Sequence, residues 1–334
     1  MKGERILLTG GAGFIGLRLA RRLAEAGAKL TLVDDLSRGR RDEEAEAFFA
    51  RPDVTFVQGD LCDPATLERA GGPFDTIVHL AAVIGIQVSE REPVRVLRTN
   101  AISTIRVVDR WLAQEGGRLV FASTSEVYGA LLGAVPLAVP SPESVPVGVR
   151  DTGISRYSYA ASKIFGETLV RQAAQAGGRT ALVVRPHNVY GPRMGWNHVI
   201  PQMSLRALRG EDPFRVFGAD ETRAFCHIDD FTRAVELLLE RDETGLFHVG
   251  TDRETRIGDL ARMLLEAAGH RVWTVDVPSQ QGSPPRRCPD LGKLRAATGY
   301  EPQVTLEAGL AETFAWYKRH AEAHPEDLQM EATP

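Results

Sequence analysis

Apolar and polar positions along the first half of the chain fall into two alternating textures. The β-rich runs Arg5–Thr9, Leu30–Asp34, Val54–Gln58, Thr76–His79, Leu119–Ser123 and Thr180–Val184 predict strands. Between them lie amphipathic stretches, Ile15–Ala26, Val94–Gln114 and Tyr157–Ala176, that predict helices. Strands alternating with helices build right-handed crossovers, hence an α/β fold with a doubly wound parallel sheet. A low-charge, Pro-rich segment, residues 133–147, interrupts the pattern and reads as a long loop of the kind that carries function. Beyond Arg185 the texture changes, with Pro186, Gly191, Pro192, Gly195, Pro201 and Gly210 cutting the chain into short pieces. We read this as a smaller, mixed α/β second lobe with helices at Ile228–Glu240, Ile257–Ala268, Asp290–Ala297 and Leu306–His320. The expected division is a sheet domain over 1–184, a second lobe over 185–322 and a frayed tail over 323–334.

Bulk properties narrow the chemistry. A chain of 334 residues, 43% hydrophobic and 25% charged, suffices for one large core with a second lobe. Its 40 basic and 44 acidic residues are mixed along the sequence, so nothing marks a nucleic-acid surface, and an acidic ligand would need local cations. Cys62, Cys226 and Cys288 are far apart and lack metal-ligand spacing; we read them as reduced packing residues and expect no metal. The longest apolar run, Ile77 to Val88, contains His79 and is too short to span a bilayer, and no secretory leader precedes the first strand. A cytoplasmic protein without a membrane partner is expected.

The string Leu7-Leu8-Thr9-Gly10-Gly11-Ala12-Gly13-Phe14-Ile15-Gly16 joins the first strand to the first helix. Glycines 10, 13 and 16 at this junction let the backbone turn tightly and approach a pyrophosphate resting on the helix N-terminus, so Gly10, Gly13, Phe14, Ile15 and Gly16 are assigned to a dinucleotide in a Rossmann-type domain. Asp34 closes the second strand where a carboxylate accepts from a ribose 2′-hydroxyl, and it would repel a 2′-phosphate, which selects NAD over NADP. Asp60 and Leu61 end the third strand, placed to flank the adenine, and Leu80, Ala81 and Ala82 end the fourth, small enough at 81 and 82 for a cofactor to lie close. Tyr159-Ala160-Ala161-Ser162-Lys163 puts a phenol and an ammonium on one helix face. That cation, with the positive nicotinamide, is expected to draw the Tyr159 pKa down so that it takes a hydroxyl proton. Thr124, at the end of the fifth strand, would hydrogen-bond the reacting hydroxyl, with Ser125 and Glu126 following it into the pocket. Glu126 is read either as a second acid/base or as a hydrogen-bonding and capping group.

Together these residues resemble the extended short-chain dehydrogenase/reductase family, specifically its nucleotide-sugar epimerases, dehydratases and decarboxylases, from Gly10 to about Tyr317. The resemblance implies catalytic roles for Thr124, Tyr159 and Lys163. It also implies substrate contacts from Asn188, in Arg185-Pro186-His187-Asn188-Val189-Tyr190-Gly191-Pro192-Arg193, and diphosphate contacts from Arg223 and Arg287, which should converge. Thr124 to Gly129 and Thr222 to Phe225 look most like UDP-glucuronate decarboxylases, whereas Ala160, Ala161 and Ser162 look like epimerases and 4,6-dehydratases; Ser125 stands where dehydratases carry Asp, and His187 where an aromatic residue is usual. The implied activity is NAD-dependent epimerisation or dehydration of a nucleotide-diphosphate sugar through a transient 4-keto sugar. Decarboxylation of UDP-glucuronate, a net oxidoreductase and a non-catalytic NAD-sensing protein are the alternatives. A homodimer is expected, since Val107, Val108, Trp111, Ile164, Phe165 and Leu169 put apolar side chains on more than one face of two helices that pair as a four-helix bundle in the resembling family.

Overall fold

In the computed structural model, residues 1–129, 131, 132, 134–279 and 283–329 are described. Residue 133, the first of the Pro-rich loop, and 330–334, the end of the expected tail, lie outside them. Strands β1 (Arg5–Thr9), β2 (Lys29–Asp34), β3 (Val54–Gln58), β4 (Thr76–His79), β5 (Arg118–Ala122) and β6 (Ala181–Pro186) are joined by a seventh, Gly245–Val249, in one sheet. Its order is β3-β2-β1-β4-β5-β6 and then Gly245–Val249, every pair parallel. The chain runs outward from β1 in both directions, so the switch point lies between β1 and β4, where their carboxyl ends part to leave a crevice.

Side-chain alternation explains the layers. Ile6 and Leu8, Val78, Val120, Leu182 and Val184 point to one face, where the helices Phe14–Glu25 and Ile228–Glu240 cover them. Leu7, Ile77, Leu119, Phe121, Ala181 and Val183 point to the other, under the helices Pro93–Ala113 and Ser158–Gly177. A parallel sheet buried on both faces reads as nearly continuous apolar runs, which is why its strands stand out in the sequence. Val107, Val108 and Trp111, expected at a surface needing cover, lie in this core. Ile164 packs, as do Leu137, Val139, Val145 and Val147 of the Pro-rich segment, against the buried cluster of Val127, Tyr128 and Leu132. The same two helices instead expose Val94, Leu97, Ile105, Leu112 and Phe165.

The seventh strand and the helix Ile228–Glu240 both come from beyond residue 184, so the sheet domain draws on the stretch expected to form only the second lobe. That lobe has its own core, centred on Ile200, Met203, Phe214, Val216, Leu260, Leu264, Leu310 and Phe314. Residues 325–329, expected to fray, form a short 3-10 helix: Trp196 Nε1 donates to Asp327 Oδ2 at 3.1 Å and Arg209 Nε to the Leu328 carbonyl at 2.6 Å. No helix among the described residues is long and apolar enough to cross a membrane.

One ion pair fastens the helix Ser158–Gly177 to the end of β6. Arg185 Nε and Nη2 donate to the two carboxylate oxygens of Glu167 at 2.7 and 2.6 Å, with side chains only 3% and 6% exposed. Ser123 Oγ donates to the same carboxylate and Arg185 to the Tyr128 hydroxyl. A buried pair is costly to break because its surviving partner is left charged in a poor solvent. Glu167→Ala should therefore lower the free energy of unfolding by about 3–5 kcal/mol in urea titrations, and a loss under about 1 kcal/mol would show the pair to be dispensable.

Candidate active site

The crevice is built first from the glycine loop. Thr9 Oγ1 is 2.8 Å from His79 Nδ1 and accepts from Ala81 N at 3.3 Å, which draws the ends of β1 and β4 together. Gly10 has φ +76°, and a Cβ there would lie 2.9 Å from Ala81 N; at Gly16 a Cβ would run into the Gly10 carbonyl. Phe14 and Ile15 open the first helix, whose N-cap, Gly13, offers no side-chain acceptor and so leaves the first-turn amides for an anion. Asp34 Oδ2 accepts from Ala12 N at 3.0 Å and Oδ1 from Leu36 N at 2.8 Å, leaving acceptor capacity on both oxygens for a ribose hydroxyl. Burial pushes its pKa up against the pull of those amides. Asp60 is exposed and accepts from Cys62 N at 2.8 Å, Leu61 is buried, and Leu80, Ala81 and Ala82 line the edge half-buried. A cradle that any side chain would fill, a helix start with free amides and a carboxylate at the end of β2 fit NAD.

On the other wall stand Thr124, Tyr159 and Lys163. Tyr159 and Lys163 lie one turn apart on the helix Ser158–Gly177. Lys163 is 3% exposed, and its ammonium donates to the Ala122 carbonyl at 2.7 Å and sits 5.9 Å from the Tyr159 ring centre. Burial lowers the Lys163 pKa to about 7, with Glu167 opposing. The downward shift expected for Tyr159 is not found. Burial pushes its pKa well up, the hydrogen bond with Thr124 pulls it down, Glu126 pushes it up again, and Arg38, rather than Lys163, is the cation that opposes. Burial is the dominant cause, and Lys163 directs a hydrogen bond to the Ala122 carbonyl at the end of β5. Thr124 Oγ1 also accepts from Glu126 N at 3.2 Å, and Ser125 N donates to the Pro186 carbonyl at 3.1 Å, which ties this loop to the end of β6.

The two arginines expected to converge do so. The strands Thr222–Ala224 and Arg286–Arg287 pair in parallel with Arg287 opposite Arg223, so the two side chains leave one sheet face about 4.8 Å apart at the backbone. Burial and the Arg287 charge lower the Arg223 pKa to about 10, while Glu221 Oε2 and Ser283 Oγ hold its Nη2 at 2.7 and 2.8 Å. Arg287 Nη1 donates to Glu126 Oε1 at 2.5 Å. Burial would raise the Glu126 pKa, but the charge and hydrogen bond of Arg287, with Arg156 and Arg223, hold it below the ordinary carboxylate value. The Pro-rich segment positions this corner: Ser141 N donates to the Cys288 carbonyl and Asp290 N to the Ser141 carbonyl, each at 2.8 Å. Asn188, at φ +40°, donates from Nδ2 to the Ala224 carbonyl at 3.2 Å, beside Arg223. His187 is fully buried with neither ring nitrogen hydrogen-bonded, its ring 4.7 Å from that of His248.

Sequence reasoning missed Arg38, Arg156 and His198, all within electrostatic reach of Tyr159 or Glu126. Only Arg38 carried a usable signal, as a cation in the loop that follows Asp34 at the crevice edge.

Comparison with known proteins matches this architecture. Residues 6–250 match the NAD dependent epimerase/dehydratase family. UDP-glucuronic acid decarboxylase 1 of Xenopus tropicalis is 32% identical over 323 residues, covering 96% of this chain and 73% of that protein. The UDP-glucose 4-epimerase of Thermotoga maritima, solved with UDP-glucose, superposes with a TM-score of 0.83 at 29% identity over 95% of this chain and 99% of that one. The dTDP-glucose 4,6-dehydratase DesIV of Streptomyces venezuelae, solved with NAD, gives 0.85 at 29% identity over 96% and 98%. Glycine cradle, Tyr/Lys helix and matched length agree: the chain is a member of the NAD dependent epimerase/dehydratase family, an NAD-dependent enzyme of nucleotide-sugar chemistry.

Proposed function

We propose that the protein oxidises C4 of a UDP-hexuronate and decarboxylates the resulting keto acid, releasing a UDP-pentose. The observation that carries this reading is the Glu126–Arg287 ion pair at the pocket wall. A base that removes the C5 proton, as dehydration requires, should be free and weakly acidic; Glu126 is instead ion-paired with a lowered pKa. The similarity to a UDP-glucuronic acid decarboxylase across almost the whole chain supports the same conclusion.

Bound NAD supplies the hydride acceptor and donor. Thr124 Oγ1 holds the C4 hydroxyl and Tyr159 takes its proton, while Asn188, Arg223 and Arg287 hold the diphosphate side. With C4 a ketone, the C5–C6 bond breaks, carbon dioxide leaves, and the electron pair passes into the enolate. A proton returns to C5 and the ketone is reduced, so NAD is not consumed. The second reading, 4-epimerisation, is favoured by Ala160, Ala161 and Ser162 within the Tyr-to-Lys spacing and by the likeness to a UDP-glucose 4-epimerase.

We further propose a homodimer, with a second copy covering Val94, Leu97, Ile105, Leu112 and Phe165 on the paired helices.

Given UDP-glucuronic acid, the purified protein should yield a UDP-pentose and carbon dioxide without net NAD reduction, read by mass spectrometry and NMR. A C4 epimer from a neutral UDP-hexose, or a 4-keto-6-deoxy product, would replace this reading. Tyr159→Phe should lose roughly 10²–10⁴-fold in turnover, whereas Glu126→Gln should lose less. Lys163, with a folded pKa near 7 against an ordinary 10.5, binds fewer protons folded than unfolded between those values. Its contribution to stability therefore rises with pH from about 7 to 10. Urea titrations should show that rise in the native protein and not in Lys163→Met; parallel profiles would mean the ammonium stays protonated. Light scattering at micromolar concentration should give twice the chain mass, and a monomer would remove the dimer proposal.

A further inference from the structure

The loop after Asp34 carries a cation that the site described so far leaves unused. Gly39 packs so tightly on the glycine loop that a Cβ there would lie 2.8 Å from both the Ala12 methyl and Asp34 Oδ1. Arg40 N donates to the Ala12 carbonyl at 3.4 Å. From the second lobe, Arg193 donates to Asp42 Oδ2 at 2.8 Å and to the Arg40 carbonyl at 3.3 Å. The backbone on either side of Arg38 is thus fixed beside the mouth of the glycine cradle. Its side chain crosses the crevice: Nη2 lies 3.1 Å from the place a Cβ on Gly195 would occupy, and Tyr159 and His198 are within electrostatic reach.

Arg38 differs from its neighbours in having nothing to hold. Arg40 Nη1 is 2.8 Å from His320 Nε2, and Arg41 Nε is 2.5 Å from Glu46 Oε1. Among the described residues no hydrogen bond or ion pair engages the Arg38 guanidinium. An unpaired cation at the edge of a ligand crevice calls for an anion, and two are expected here. The substrate diphosphate already has Arg223 and Arg287, on strands of the other lobe. The cofactor pyrophosphate carries two negative charges, yet the glycine loop offers it only backbone amides and the partial charge of a helix end.

We propose that Arg38 is a cofactor-binding residue whose guanidinium pairs with the pyrophosphate of NAD. The planar fork matches phosphate oxygens, and the tethered loop presents it at little ordering cost.

Affinities measured by calorimetry on protein freed of cofactor test this without any turnover. Arg38→Gln should weaken NAD about ten-fold or more and make its binding less sensitive to salt. ADP-ribose, which has the same pyrophosphate, should weaken by a similar factor, and adenosine, which lacks it, should not change. Arg38→Lys should recover part of the loss, since it keeps the charge but not the fork. Affinities for NAD and ADP-ribose within about two-fold of wild type would overturn the proposal. So would a loss confined to UDP, which would hand Arg38 to the substrate. Because ADP-ribose and adenosine are compared on the same variant, a change in its stability does not blur the outcome.

Discussion

A parallel sheet buried on both faces can expose polar groups only at its ends, and every feature of the crevice follows from that constraint. Inward of the edge strand β3, the strands have no solvent face on which to carry a reactive side chain. Thr9, Asp34, His79 and Thr124 all lie at or just beyond carboxyl ends of strands, where the pattern of apolar residues stops. The order of the sheet decides which ends become neighbours. Because β1 lies beside β4, the glycine loop meets Leu80 and Ala81; because β5 lies beside β6, Thr124 and Ser125 meet Pro186. The helix Ser158–Gly177 then lays Tyr159 and Lys163 across the same edge, anchored one turn further on by Glu167 and Arg185.

The electrostatics of the pocket are lopsided. Arg38, Arg156, Arg223 and Arg287 gather around Tyr159 and Glu126, and Glu126 is the carboxylate on which several of those charges act. It is held by Arg287, to which it is the counter-ion. An incoming phosphate or carboxylate would compete for that guanidinium, so ligand binding and the acidity of Glu126 are coupled through one shared partner. Lys163 stands outside this arginine cluster, donating to the Ala122 carbonyl and lying over the Phe121 ring.

Much of this was legible in the residues themselves, for identifiable reasons. The glycine spacing, Asp34 and the Tyr159/Lys163 pair are local patterns, fixed by a turn and by helical periodicity. What escaped depends on contacts distant in sequence. The direction of the Lys163 ammonium is set by a carbonyl 41 residues away, and Arg287 reaches Glu126 across 161 residues. Gly245–Val249 opens on Gly and carries His248 inside it, which breaks the apolar run that marks the other strands. Val107, Val108 and Trp111 are apolar on a helix that is apolar on more than one side, and only the packed structure tells the buried side from the open one.

The late return of the chain to the sheet has a consequence for how the molecule can be taken apart. Gly245–Val249 pairs with β6 along its whole length, and Ile228–Glu240 seals the face beneath. A cut after β6 would strip that strand of its partner and leave an open, apolar edge of the kind that pairs with other chains. The cofactor domain is therefore discontinuous in the gene although continuous in space. Dissection, fusion or circular permutation would have to follow the packing, with one part of the second lobe looped out between β6 and Gly245–Val249 and the rest following the completed sheet.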